Sequence, residues 1–372
     1  MASYASFFSF PLFVTRCGGT KADIGILMGA FSLASVLCRP WVSTMIDAFG
    51  RKKSFTLGSI LMTIIPLTYL SLSSDQTISQ LYLKILAIRI IHGIGFAICF
   101  TAAFTFAVDI IPENRLNEGI GIFGISGLTG LGAGPFIAET VIDTLGFPAF
   151  FITSSALASL ALIFNGLLEE SYPGIPLTSQ VSFFKVVARK KNIIVAVLAF
   201  LFGVALAASG NFIFPYAAEY NLAGGFLYYA FYSGSAIASR LRGGTMADRL
   251  GESRIIPYAI TLTAVGFLSL LPQPTCKTLI ISGLLTGCGH GLLYPCLNSL
   301  AVRNESIQDR GKITGIFTGS IDAGNLIGSL SLGYIGDLTG FTGLFTSTIL
   351  SLLFGLVIFK VSLRIRIISP LK

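Results

Sequence analysis

Residues 45–55 read MIDAFGRKKSF, and residues 243–254 read GGTMADRLGESR. Both stretches place an aspartate three residues before a glycine, among cations and between two apolar runs. Asp47 and Asp248 are 248 − 47 = 201 residues apart. A polar turn between two helices explains the charge at one such place, but not the same order of residues at two. The pair therefore indicates that the chain is built from two copies of one unit.

The composition is that of a membrane protein. Of the 372 residues, 53% are hydrophobic and 11% are charged, whereas soluble domains carry about 25% charged residues. The mean hydropathy is +0.81. Runs such as residues 344–361 are apolar almost throughout, unlike the alternating strands of an outer-membrane barrel. Apolar runs of about 20 residues recur along the chain, which is the length that a membrane-spanning helix needs. The predicted fold class is therefore an all-α integral membrane protein.

The apolar runs fall into two sets of six, which predicts two six-helix bundles at residues 1–168 and 192–372. A cytoplasmic linker at 169–191 contains FFKVVARKK, which is typical of a basic amphipathic interfacial segment. The first span is shorter than a usual crossing, so we expect a short or truncated helix. The predicted spans lie near residues 2–16, 22–46, 54–73, 79–110, 117–143, 147–168, 192–219, 222–247, 254–271, 277–302, 311–337 and 341–363.

The cations predict the orientation, because Lys and Arg in short loops are retained on the cytoplasmic side. Loops 2–3, 4–5, 6–7, 8–9 and 10–11 hold most of them, so these loops are predicted to be cytoplasmic. We expect the protein in the prokaryotic cytoplasmic (inner) membrane. The formal charge of +8 then indicates topology and contact with anionic lipid rather than nucleic-acid binding. Arg39, Arg240 and Arg242 lie near cytoplasmic span ends, where we expect their side chains to reach the interface.

Further pairs support the duplication. Arg39 and Arg240 keep the same separation, 240 − 39 = 201 residues. Arg115 and Arg310 each open the fifth span of their half, 310 − 115 = 195 residues apart. Internal repeats of this kind are common in secondary transporters.

On these motifs the sequence resembles the major facilitator superfamily along essentially its whole length. STMIDAFGRKK is similar to the family pattern G-x-x-x-D-x-x-G-R-K of the loop between spans 2 and 3, with Ser43 at the first glycine. GTMADRLG keeps that glycine in the second half. LAIRIIHGIG is similar to the fourth-span pattern with an intramembrane arginine, here Arg89. GLGAGPFIAE is similar to the fifth-span antiporter pattern G-x-x-x-G-P-x-x-G-G, with Ala138 and Glu139 at its last two glycines.

The resemblance implies a twelve-helix transporter that works by alternating access, and it points to the drug/proton antiporter group. We expect the repeated loops to act as a cytoplasmic gate, because an interfacial charge cluster is weak enough to be broken and remade. The fifth-span motif is expected to bend its helix, since proline removes a backbone hydrogen bond. The predicted gate residues are Asp47, Gly50, Arg51, Asp109, Gly244, Asp248, Arg249 and Gly251, and the antiporter-like motif is Gly130, Gly134 and Pro135.

Ionisable residues inside spans are functional suspects, since each costs about 2.5–3.5 kcal/mol on insertion scales. The resemblance gives Arg89 a role in proton coupling or substrate contact; the alternative is a packing role on backbone carbonyls. Asp322 lies in the middle of span 11 with Asn325 on the same helix face, and a buried carboxylate there can load and release protons or serve a structural hydrogen bond. Glu139 in span 5 is either a proton site or a wet helix end.

His92 and His290 occupy similar places in spans 4 and 10, 290 − 92 = 198 residues apart. A histidine can relay protons near neutral pH, or it can pack and donate one hydrogen bond. Asn298 can supply a neutral hydrogen bond to substrate. The sequence has no phosphate-loop, metal or catalytic-triad signature, so we expect neither an enzyme nor a cofactor nor a bound metal.

The sequence therefore predicts a secondary active transporter, most simply a proton-coupled antiporter that exports a small amphipathic or drug-like molecule. Proton-coupled uptake of a small metabolite such as a sugar, organic acid or amino acid is the alternative within transport. A non-transporting membrane sensor or scaffold with the same fold is the alternative of another class. The expected partners are a small-molecule substrate, protons and membrane lipid, with no nucleic acid, and the expected state is a monomer.

Overall fold

The computed structural model describes residues 2–72, 76–110, 116–171, 183–222, 224–272, 274–302 and 307–365. Within these ranges the regular structure is helical, with no strand. Seven of the described helices are long and apolar enough to cross a membrane. Two of those seven each contain a pair of the predicted spans. The prediction of an all-helical membrane protein is confirmed.

The first unit contains spans 1 to 6. Span 1 is a short, interrupted helix, Ala2–Ser6 and Phe10–Arg16 around the 3₁₀ turn Phe7–Ser9. Thr20 caps span 2, because its hydroxyl accepts a bond from the Asp23 amide while the Asp23 carboxylate accepts one from the Thr20 amide. The remaining helices are span 2 at Lys21–Phe49, span 3 at Arg51–Thr68 with a 3₁₀ turn Tyr69–Ser71, span 4 at Ile78–Ile110, and spans 5 and 6 within Leu116–Asn165.

The second unit contains spans 7 to 12, preceded by the short helix Phe183–Val187. Its helices are span 7 at Lys190–Glu219, span 8 at Phe226–Leu250, span 9 at Glu252–Leu268, span 10 at Cys276–Val302, and spans 11 and 12 within Ile307–Arg364. The boundary between the two compact units falls between Pro176 and Leu177.

Single glycines divide the two longest helices into spans. Gly146 separates spans 5 and 6 with φ 81° and ψ −179°, and Gly340 separates spans 11 and 12 with φ 70° and ψ −172°. This region of backbone conformation is essentially open to glycine alone. A Cβ on Gly340 would meet nothing within 4 Å. The requirement for glycine there is therefore conformational and not steric.

Aromatic rings fill the core of the first unit. Phe7, Phe10 and Phe13 of span 1 are at most 2% exposed and pack against Phe151 of span 6. The Tyr69 ring lies 5.1 Å from the rings of both Phe7 and Phe10. Such aromatic pairs stabilise a fold by more than the area that they bury. Aromatic contacts therefore stabilise span 1 along most of its short length.

Small residues allow close helix packing in the second unit. Gly283, Gly287 and Gly291 recur every fourth residue along one side of span 10. A Cβ on Gly287 would collide with the carbonyl oxygen of Tyr232 in span 8, and one on Gly291 would lie 2.5 Å from that of Ala236. These three glycines form a glycine seam where span 10 packs against span 8, and it was not predicted from the sequence.

Candidate functional site

Arg89 lies enclosed in the first unit with 3% of its surface exposed. Its Nε atom donates a hydrogen bond to the Leu27 carbonyl oxygen of span 2 at 3.3 Å. The guanidinium carbon lies 4.7 Å from the centre of the Phe31 ring and 5.7 Å from that of Phe10. Two rings and a backbone carbonyl therefore contact the cation in the core of the first unit.

His92, one turn along the same span, is fully buried. Its Nδ1 atom lies 3.4 Å from the Tyr69 hydroxyl, and its Nε2 atom is enclosed without a hydrogen-bond partner in the described part of the chain. The rings of Phe7 and Phe31 stand edge-on to the imidazole, with centroids 4.6 Å and 5.5 Å away. This environment favours packing over proton relay.

The second unit repeats this arrangement around His290. Phe202 of span 7 stands edge-on to it at 5.0 Å, and Tyr232 of span 8 does so at 5.4 Å. Tyr232 and Phe31 are 232 − 31 = 201 residues apart, the separation of the loop motif. Each histidine has a tyrosine hydroxyl on its Nδ1 atom, Tyr69 for His92 at 3.4 Å and Tyr232 for His290 at closer range.

A polar ladder connects spans 7 and 11, and we define it as Asn211, Asp322, Asn325 and Ser329. The Asn211 amide donates to the Ser329 hydroxyl at 2.7 Å, and that hydroxyl donates to the Asn325 carbonyl oxygen at 2.6 Å. Asp322, Asn325 and Ser329 lie at positions i, i+3 and i+7, so they share one helix face. Asp322 is half buried, as is Asn325. Asp322 and Asn325 thus lie on the face of span 11 that Ser329 joins to Asn211 of span 7, and their role in proton coupling stays a prediction.

Arg240 packs against an aromatic ring of the second unit. It lies 250 − 240 = 10 residues before the end of span 8, which is about 15 Å along a helix. Its Nε atom is enclosed, and its guanidinium carbon lies 5.3 Å from the centre of the Tyr294 ring in span 10. The side chain as a whole is half buried, and the expectation that it reaches the membrane interface stays a prediction.

Glu139 and Asn298 are both half buried, in spans 5 and 10. Next to Asn298, the Ser299 hydroxyl donates to the carboxylate of Glu252 at 2.7 Å, and Glu252 is only 4% exposed. Sequence reasoning missed this buried acid.

Of the antiporter-like motif, Gly130, Gly134 and Pro135 are all buried in span 5. The helix continues through Pro135 and leaves helical geometry at Gly146.

The first-half loop brings a further acid to the predicted gate. Gly50 has φ 96°, and the Arg51 guanidinium donates to the Ile46 carbonyl oxygen at 3.1 Å. The Glu170 carboxylate accepts bonds from the backbone amides of Arg51 and Lys52, at 2.8 and 3.1 Å. Glu170 lies 170 − 165 = 5 residues after the end of span 6. The adjacent acids Glu169 and Glu170 were the signal in the sequence that could have indicated this contact. Gly251 repeats the positive φ at 83°. The structure does not describe the side chains of four other predicted gate residues, Asp47, Asp109, Asp248 and Arg249, or the surroundings of Gly244.

The family model described as Major Facilitator Superfamily matches residues 1–278 and 225–366. The multidrug resistance protein MdtG of Escherichia coli is 26% identical over 375 residues, which cover 96% of this chain and 89% of that protein. An uncharacterised MFS-type transporter of Methanocaldococcus jannaschii is 26% identical over 369 residues, covering 93% and 90%.

Solved structures show the same fold. The nucleoside transporter NupG superposes with a TM-score of 0.77 at 13% identity, over 97% of this chain and 96% of that one. A POT family transporter gives 0.77 at 16% identity, over 99% and 96%.

Proposed function

The chain belongs to the major facilitator superfamily, and we propose that this transporter is a proton-coupled antiporter that exports a small amphipathic or drug-like molecule. Alternating access of its two units is the proposed mechanism. The polar ladder carries the proposal. Asp322 is a half-buried carboxylate in the middle of span 11, on the face that Asn325 and Ser329 connect to Asn211 of span 7.

A carboxylate in this position has the properties of a proton carrier. Its partial exposure leaves the carboxylate open to exchange of protons with water or cargo. The ladder fixes the spacing of spans 7 and 11, because a buried amide and a buried hydroxyl satisfy each other. A change in the charge of Asp322 is thereby coupled to the packing of two helices, which is what a transport cycle requires.

Arg89 supplies the corresponding group in the first unit. Its bond to the Leu27 carbonyl joins spans 2 and 4, and its cation lies against rings and not against a carboxylate among the described residues. We propose that movement of span 2 away from span 4 frees this guanidinium for cargo or for a neighbouring acid. Glu139 in span 5 is the proposed second acid, with Asn298 and His290 as lesser candidates in the second unit.

Export is favoured over uptake by two observations. MdtG is a multidrug resistance protein and matches along 96% of this chain, and the Gly130, Gly134 and Pro135 motif of span 5 resembles the antiporter pattern. We propose the cytoplasmic membrane as the location, with the cationic loops and the gate on the cytoplasmic side. Protons, lipid and a small molecule are the proposed partners of a monomer.

Everted vesicles with an acidic lumen test the proposal. Cargo-dependent release of protons from the lumen identifies an antiporter, whereas proton entry with cargo identifies uptake. Asp322→Asn should abolish the proton movement, while Asp337→Asn should preserve it because Asp337 lies exposed on the same span. Proton movement that persists in Asp322→Asn would place the carrier elsewhere. An absence of cargo-dependent flux in folded wild-type protein would favour the sensor or scaffold.

A further inference from the structure

Arg240 and the residues around it form a cluster of which the proposed function uses only His290. We define the Arg240 cluster as Arg240 and Tyr232 of span 8 with His290 and Tyr294 of span 10. The guanidinium carbon lies 5.3 Å from the centre of the Tyr294 ring. The Nε atom is enclosed and has no hydrogen-bond partner in the described part of the chain.

The cluster has a positive charge that no acid in it offsets. The guanidinium of Arg240 lies over the ring of Tyr294. An arginine cation over an aromatic face is stabilised only in part. Arg240 is half buried and its Nε atom is enclosed, so it loses part of its hydration without an anion to replace it. Since guanidinium presents a planar fork of donors that suits carboxylates and sulfonates, a bound anion would satisfy both the charge and the orphaned donor.

The surrounding residues hold the cluster in place. The Tyr232 hydroxyl bonds His290 Nδ1, which fixes that tyrosine, and Phe317 stands edge-on to Tyr294 at 5.3 Å. Gly287 and Gly291 bring span 10 against the span 8 backbone at Tyr232 and Ala236. Arg240 therefore extends from a helix that packs closely against span 10, which is the preorganisation that a binding site needs.

We propose that the Arg240 cluster binds the acidic group of the cargo and that the cargo is an amphipathic organic anion. This inference rests on the proposed function and names its substrate class. The rings around the guanidinium suit an apolar body next to a carboxylate or sulfonate. A lipophilic cation is disfavoured at this place, because its charge has the sign of Arg240.

Binding to the full chain in lipid nanodiscs, without a pH gradient, tests the site. Three probes share one ring system: naphthalene-2-sulfonate, a trimethylammonium naphthalene and neutral naphthalene-2-methanol. Calorimetry should show the sulfonate binding to wild type about tenfold more tightly than the cation or the alcohol. Equal affinities would overturn the proposal, and this comparison needs no variant to fold.

Variants then locate the site. Arg240→Gln should lower the sulfonate affinity about tenfold and leave the alcohol unchanged, and Arg240→Lys should lie between, because it keeps the charge and loses the fork. Arg254→Gln is the matched control, since Arg254 is exposed. An Arg254 effect as large as that of Arg240 would overturn the proposal.

Proton movement separates the two proposals. Sulfonate binding at Arg240 without cargo-dependent proton flux would refute antiport and keep the anion site. Proton flux driven by the cation and not by the sulfonate would refute the anion site and keep antiport.

Discussion

The Glu170 carboxylate accepts a hydrogen bond from the backbone amide of Arg51 at 2.8 Å, across 119 residues of sequence. Gly50 precedes span 3 and has no side chain to cap it, so Glu170 supplies the anion at that helix N-terminus. Glu170, beyond the end of span 6, thus accepts backbone hydrogen bonds at the start of span 3. In the proposed gate this contact adds to the charges of the loop itself.

Glu170→Ala should lower the thermal transition of the detergent-solubilised protein, because two backbone amides lose their acceptor. The expected loss of stability is about 1 kcal/mol, in the range of helix caps. Glu169→Ala is the matched control, since Glu169 is exposed one residue earlier. Equal effects of the two changes would show that Glu170 acts through general charge and not as a cap.

Gly287→Ala should destabilise the second unit by about 1–3 kcal/mol, the cost of overpacking. The added methyl group would collide with the Tyr232 carbonyl oxygen, which is backbone and cannot turn away. Gly234→Ala in span 8 is the control, because its Cβ would meet nothing within 4 Å. Thermal melts of both variants in detergent check the prediction, and a tolerated Gly287→Ala would contradict the seam.

The two histidines should respond differently to replacement by phenylalanine. His92→Phe removes a long contact of 3.4 Å with the Tyr69 hydroxyl and an Nε2 atom that has no partner in the described residues, so we expect a smaller loss of stability than for His290→Phe, and retained proton movement. His290→Phe leaves the buried Tyr232 hydroxyl without its partner, at a cost of about 1–3 kcal/mol.

The double variant His290→Phe with Tyr232→Phe should recover part of that loss, because both polar partners are then gone. Thermal melts and proton movement in vesicles provide the measurements. Loss of proton movement in folded His92→Phe would identify His92 as a relay.

Cys17 should react slowly with N-ethylmaleimide. Its side chain is 6% exposed in the turn after span 1, and burial raises the pKa of the thiol, with Arg16 offsetting part of the rise. Because the thiolate is the reactive form, the rate should keep rising with pH above about 8.5, the ordinary thiol value.

Single-cysteine variants followed by mass spectrometry test this prediction. Cys276 is half buried and should be labelled faster at neutral pH. Both thiols should react at similar rates in denaturant. A Cys17 rate equal to that of Cys276 in the folded protein would contradict the buried position.

Span positions follow closely from the sequence where an apolar run is long and ends in charge. The hydropathy predicts span 4 at residues 79–110, and the helix is Ile78–Ile110; it predicts span 7 at 192–219, and the helix is Lys190–Glu219. Local composition determines where such a helix begins and ends, because the cost of burying charge is steep. The position of Asp322 and Asn325 on one helix face was also predictable, because helix periodicity alone determines it.

Contacts between distant segments could not be predicted in this way. Glu170 and Arg51 share no local pattern, and nothing in the hydropathy of span 8 indicates that Arg240 faces Tyr294. The direction of a side chain around a helix depends on which neighbour packs against it. The glycine seam of span 10 was visible as a four-residue spacing, but its partner on span 8 was not.

The one-glycine connections at Gly146 and Gly340 bear on how the chain enters the membrane. A single extended residue spans about 3.4 Å, so spans 5 and 6, and likewise spans 11 and 12, have no slack between them. Neither member of a pair can be released into lipid while the other stays behind. We therefore expect the two helices of each pair to leave the insertion machinery together, as a helical hairpin.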